Sequence, residues 1–300
     1  MAKSAEVLFF ESVKRLTELA YVRLHNSLAY SENDDDGLWY HSPEHTVGVN
    51  RRAAKIVDIC NRAQNGLFSE RDRALVRLAV CFHDIYIASY VTIDPLRGYL
   101  VRKRLGGHSE HASAGILHRY MYEENVRHDH ECEIFTAADF DFVQETIMLT
   151  VVKLENGTVL QPIKTDTSLR ARILPLADLG ECGMEPELFV RNSNFLLCEE
   201  QPSIQAAVLG ERMKSAKSIR DDILAWGEQQ VAFVEGRRNR THIDLSGLLL
   251  GMGCAIWDFC FSDLRFDESL KLVTEQNKRR SKMSCSGILQ EMRTVCGIYK

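Results

Sequence analysis

Four residues spread along this 300-residue chain have the side-chain types of a metal centre: His45, His83, Asp84 and Asp178. Two imidazoles and two carboxylates suit a divalent transition metal or a magnesium-like ion, with positions left open for water and substrate. Their settings carry more information than their types. His45 stands four residues before Val49, His83 four after Ala79, and Asp178 four after Leu174, so three of them continue an apolar stripe at helical spacing. Each then turns a polar head inward, where it is costly unless paired or metal-bound. One shared cation is the simplest common account.

A His-Asp dipeptide by itself says little. His128-Asp129 repeats it inside "VRHDHE", a polar stretch that reads as a solvated loop. The copy at His83-Asp84 closes "LVRLAVCFHD", a helix patterned for burial. The stretch "YHSPEHT" (40–46) raises a rival, because His41, Glu44 and His45 fit the H-x-x-E-H pattern of a zinc peptidase. That chemistry needs both histidines on one face of a regular helix, with the glutamate as base. Ser42 is a good N-cap and Pro43 suits the first helical position, which places His41 before the helix and makes the peptidase geometry awkward.

The elements that must position these residues are helical. Strand signals are scarce, and the expected class is all-α. The pattern predicts an amphipathic helix over 5–29, a second from Ser42 to about residue 60, and a third opened by Ser69 and Asp72 and running into His83. A long segment follows over 86–109, then helices over about 109–123, 139–154 and 167–179, the last bent by Pro175. "VKLENGTVLQPIK" (152–164) reads as a short hairpin around Asn-Gly, and one long helical pattern covers 203–240. Residues 1–240 are expected to form the main helical domain, with 241–300 a C-terminal helical extension packed on it.

Composition bounds the function. The net charge of −5 argues against a dedicated nucleic-acid or anionic-membrane binder. Nine cysteines without a C-x-x-C pair fit the buried thiols of a reduced, cytoplasmic protein. The longest apolar run, from Leu245 to Trp257, is too short to span a membrane.

Four motifs together resemble those of the HD-domain phosphohydrolase superfamily: "YHSPEHT" (40–46), "CFHDIY" (81–86), "SEHASA" (109–114) and "PLADLG" (175–180). The likeness is to predicted metal-dependent phosphohydrolases, and the first motif is also similar to its counterpart in cyclic-nucleotide phosphodiesterases. It spans roughly residues 38–180. The resemblance implies an HD-domain-like helical bundle around a metal centre, with additional C-terminal helices. By that resemblance His45, His83, Asp84 and Asp178 match the metal ligands and His41 matches the general acid of the phosphodiesterases. Glu110 matches a family glutamate, with water orientation as its expected role. Two departures stand out. Ser109 replaces the usual Asn, and Lys153 lies where a further histidine for a second metal is sought, so one metal per site is expected.

The expected activity is hydrolysis of a small phosphate mono- or diester, a nucleotide or cyclic nucleotide. Its cofactor would be Mn, Fe, Co, Ni, Zn or Mg, since availability often decides among them. Arg97, Arg102 and Arg104 of the 86–109 segment, with His111, are the candidates for holding phosphate, arginine being suited to bidentate contact. The same charges could be an ordinary solvated rim. Gly98, Gly106 and Gly107 would let the segment move as a lid. Trp39, Tyr40, Tyr86 and Tyr90 read as packing or as a stacking surface for a base. The basic run "EGRRNRT" (235–241) reads as a helix end, where cations favour the dipole. The alternatives are a catalytically weak ligand-binding or interaction protein on the same scaffold, and an iron-dependent oxygenase. A homo-oligomer is compatible with all of these.

Overall fold

The Ser42 hydroxyl accepts the backbone N–H of His45 and Pro43 opens the helix, so the chain enters α2 (Pro43–Ala63) as its capping residues dictate. The structure, a computed structural model, describes residues 4–27, 38–95, 100–128, 133–155, 158–210, 216–246, 248 and 251–298. Before α2 lies α1 (Ala5–Ser27). After it comes α3 (Glu70–Phe82), whose capping box joins Ser69 and Asp72 reciprocally. The His83 and Asp84 side chains are delivered where this helix stops.

The 86–109 segment, read from the sequence as a long connector without regular structure assigned to it, contains two strands. It folds as an antiparallel hairpin of β1 (Ser89–Ile93) and β2 (Leu100–Arg104), with Ser89 opposite Arg104 and Ile93 opposite Leu100. The β-branched run Val91, Thr92 and Ile93 of β1 and Val101 of β2 favour the extended pairing. Arg97 and Gly98 lie outside the described residues. Helix α4 (His108–Arg127) then runs longer than its expected span, and α5 (Ala137–Met148) is shorter, followed by the small hairpin β3 (Lys153–Glu155) and β4 (Thr158–Leu160). The Asn156-Gly157 dipeptide expected at its turn lies outside the described residues.

Helix α6 (Leu169–Asp178) starts at the Ser168 cap and carries Pro175 inside it. One turn of helix, α7 (Glu181–Met184), leads into α8 (Pro186–Glu200). The single helix expected over 203–240 is instead α9 (Pro202–Leu209) and α10 (Ala216–Leu245). Gly210 ends α9 in the left-handed conformation (φ 95°), a helix stop that glycine takes without steric cost. The chain closes with α11 (Met252–Cys260), α12 (Asp263–Arg280) and α13 (Cys285–Val295).

The architecture is an all-helical bundle with two small hairpins on it. Helix α2 packs against α3, α6 and α11, and α3 also meets α1 and α5. Val49, Ala53 and Ile56 of α2, Leu78 and Phe82 of α3, and Ile173 and Leu176 of α6 share one buried core. Helix α12 packs along α10 and across α8, while α13 covers α9 and a smaller apolar cluster around Leu197 and Met292. The basic run of α10 serves packing and pairing: Arg237 is buried, Arg238 pairs with Asp263 and Asp267, and Arg240 with Asp244.

Candidate metal centre

Three helices aim the cluster. The first turn of α2 supplies His45, the end of α3 supplies His83 and Asp84, and the last residue of α6 supplies Asp178. His45, His83 and Asp178 place one ligand atom each within 4.8 Å of one another. Nε2 of His45 lies 3.3 Å from Oδ1 of Asp178, and Nε2 of His83 lies 3.6 Å from the same oxygen. Asp84 joins them: its Oδ2 is 3.0 Å from His83 Nε2, 3.5 Å from His45 Nε2 and 3.8 Å from His41 Nε2.

The hydrogen-bond pattern tests whether a cation fits here. His83 Nδ1 donates to the Val80 carbonyl at 2.7 Å, which leaves the Nε2 lone pair facing the cluster. Nε2 of His83 and both ring nitrogens of His45 are buried and make no hydrogen bond among the described residues, despite the carboxylates nearby. Orphaned imidazole nitrogens converging beside two carboxylates fit a divalent metal ion.

Electrostatics of the metal-free cluster agree. Burial disfavours the His83 imidazolium, but Asp84 and Asp178 outweigh it and hold the pKa well above the usual value. Burial likewise pushes the Asp178 carboxyl up, yet His45 and His83 hold it below the ordinary carboxylate range. Asp84 behaves the same way against His83 and His41. The proton held on His83 thus does part of what a cation would do.

Beside the cluster stands a group whose organising residue sequence reasoning did not find. Glu199, at the end of α8, is fully buried and accepts the backbone N–H groups of Tyr40 and His41 at 2.9 and 3.0 Å. Its Oε1 accepts His41 Nδ1–H at 2.6 Å and Arg104 Nη2–H at 2.8 Å. Burial alone would raise its pKa, but His41 and Arg104 bring it down to about 2. Arg104 Nη1 also donates to His41 Nε2 at 2.9 Å. A signal for Glu199 existed, since it follows Phe195 and Leu196 at helical spacing just as Asp178 follows Leu174.

The remaining expected site residues divide. Arg104 and Glu110 line the cavity that opens over the cluster, and burial raises the Glu110 carboxyl pKa. Arg102 does not line it; its Nε donates to the Glu199 carbonyl and ties β2 to α8. His111 is exposed and outside the lining, because the first turn of α4 points it away. Tyr40 packs on the His45 ring, with centroids 4.5 Å apart, and Trp39 is buried against Phe195. Tyr86 and Tyr90 are half exposed and outside the lining. Lys153 is exposed, and His118 gives Nε2 to the Phe140 carbonyl, so neither joins the cluster.

No protein-family model matches the chain, and no curated protein or solved structure matches it at a significant level. No helix among the described residues is long and apolar enough to cross a membrane.

Proposed function

We propose that this chain is a metal-dependent phosphohydrolase of the HD-domain type, acting on a small phosphate ester such as a nucleotide. The observation that supports the reading most is the pair of buried Nε2 atoms of His45 and His83, each 3.0–3.6 Å from oxygens of Asp84 and Asp178 at the floor of a cavity. His45, His83, Asp178 and Asp84 would hold one divalent cation. Such an ion lowers the pKa of a bound water and neutralises charge on phosphoryl oxygens.

The chain's own residues take the other roles. His41 donates a proton from Nε2 to the leaving oxygen, with Glu199 fixing the ring through Nδ1. Arg104 moves from His41 Nε2 to a phosphoryl oxygen when substrate enters, which frees Nε2 to carry that proton. Glu110 orients water at the cavity wall. The cytoplasm is the compartment this chemistry and the unpaired cysteines suit.

One observation favours a second reading, a ligand-binding protein on the same scaffold: Arg104 occupies the His41 atom on which acid catalysis depends. Metal analysis of the purified chain and a panel of phosphate esters separate the two. Turnover that is lost in His83→Ala and Asp84→Ala supports the hydrolase. Metal bound with no ester cleaved favours the binding protein, and oxygen uptake with iron favours an oxygenase.

A further inference from the structure

The cavity above the cluster has a volume of about 690 Å³, far more than one phosphate needs. Its charges are lopsided. Five carboxylates line it, from Asp84, Glu110, Asp178, Glu181 and Glu200, against the single guanidinium of Arg104 among the described residues. With Asp84 and Asp178 assigned to the cation and Glu181 paired with Arg52, a polyphosphate chain extending beyond the cluster would meet the Glu110 and Glu200 carboxyls and find Arg104 as its one guanidinium among the lining residues described. The wall away from the cluster is mainly apolar, with Phe189 and Leu196 of α8, Trp226 and Phe233 of α10, and Val152 and Val159 of the β3–β4 region, and the amides of Gln229 and Gln230 as its polar exceptions.

That wall is built in advance. The Phe189 and Phe233 rings stack with centroids 5.8 Å apart at 14°. The Trp226 indole is fixed by its Nε1–H, which donates to the Ser193 carbonyl at 3.1 Å. The small hydroxyls of the lining are engaged by the protein itself. Ser193 Oγ donates to the Val190 carbonyl, Thr150 Oγ1 to the Ile147 carbonyl, and Ser109 Oγ accepts from Ala88 N–H. A sugar brought here would find the Gln229 and Gln230 amides but bury most of its hydroxyls against carbon, whereas an apolar group would gain from the same contact.

Resting on the hydrolase reading above, we infer that the substrate is a phosphate monoester of an apolar alcohol, its organic part seated between α8 and α10 and its single phosphate at the cluster. In the reaction a water oxygen bonds to phosphorus and the bond from phosphorus to the alcohol oxygen breaks. That oxygen takes the proton from His41, the attacking water keeps one proton on phosphorus as P–OH and yields the other to solvent, from which His41 is reprotonated, and the products are orthophosphate and the free alcohol.

The test has a binding arm and a turnover arm. Saturable binding of 1-naphthol to the metal-free full chain is read from tryptophan fluorescence, and Trp226→Phe identifies the signal of the wall against Trp39 and Trp257. Phe233→Ala is expected to weaken Kd by about tenfold. Val152 is 44% exposed, so Val152→Asp places a charge at the same wall without disturbing the core and is expected to weaken binding similarly. In the Mn²⁺-loaded chain, kcat/KM for 1-naphthyl phosphate is expected to exceed that for AMP and for ATP by about tenfold or more. Absent naphthol binding, or kcat/KM favouring either nucleotide, overturns the inference. Naphthol bound at this wall with no ester turned over supports the apolar lobe and sinks the hydrolase reading instead.

Discussion

Oε1 of Glu199 lies 2.6 Å from Nδ1 of His41, joining the end of α8 to a residue 158 positions away just ahead of α2. The carboxylate also takes two backbone N–H groups and the Arg104 guanidinium, so all its neighbours are donors. Glu199→Gln turns one acceptor into an amide facing those donors. We expect a loss of roughly 3 kcal/mol of unfolding free energy at pH 7. The pH dependence has a definite sign. The folded-state pKa is held at about 2 against an ordinary 4.5, so the stabilisation is complete above about pH 5 and is lost as pH falls from 4.5 towards 2. Urea unfolding of metal-free protein from pH 3 to 7 checks this. A wild-type–variant gap that stays constant down to pH 3 contradicts it.

Arg52 holds the floor of the cluster from behind. Its Nε donates to the Ala177 carbonyl at 2.7 Å, one residue before Asp178, and Nη1 reaches Glu181 at 3.0 Å and Glu185 at 2.9 Å. Arg52 is 1% exposed, so Arg52→Met leaves the buried Glu181 carboxylate without its cation and with the Asn192 amide as its remaining donor. We expect about 3–5 kcal/mol less stability. Because the Asp178 backbone loses its anchor, metal affinity should also drop by about tenfold. Chemical unfolding and calorimetric Mn²⁺ titration measure the two effects, and unchanged affinity would separate Arg52 from the cluster.

The metal itself should be visible as stability. A ligand at about one hundred times its Kd adds roughly 2.7 kcal/mol to the folded state. Mn²⁺ or Co²⁺ is therefore expected to raise Tm by several degrees, and a chelator to reverse the rise. His83→Ala removes an imidazole whose Nδ1 is fixed by Val80, and the metal-dependent rise should disappear. A rise of equal size in that variant means the ion binds elsewhere.

The parts of this site that were readable in sequence share one property: their signals are local. Ser42 and Pro43 set the start of α2, and Ser69 with Asp72 set α3, because capping acts over three or four residues. Periodicity then placed His45, His83 and Asp178 on inward faces. Glu199 escaped because its meaning depends on His41 and Arg104, residues distant in sequence that no local pattern joins to it. The strands within 86–109 are not legible in the sequence because a two-stranded hairpin with one docked face shows little alternation. Its strands carry half-exposed Tyr90, Ile93 and Leu100, and the arginines that face α8 look like ordinary surface charge. His111 shows the converse error, since nearness to Glu110 in sequence says nothing about direction around a helix.

Arg104 offers the sharpest separation of charge from geometry. Its guanidinium spans two partners, Glu199 Oε1 at 2.8 Å through Nη2 and His41 Nε2 at 2.9 Å through Nη1. An ammonium is a point charge and lacks that planar fork. Arg104→Lys should keep the pairing with Glu199 and lose little stability, about 1 kcal/mol or less, while lowering kcat by roughly tenfold or more through the lost grip on phosphate and His41. Arg104→Ala removes the cation as well, leaves Glu199 with one charged partner fewer, and should cost about 2–3 kcal/mol in addition. Paired measurements of urea midpoints and steady-state kinetics on the same ester read the difference. If the lysine variant turns over at the wild-type rate, Arg104 is an ion-pair residue for Glu199 and takes no part in holding the substrate.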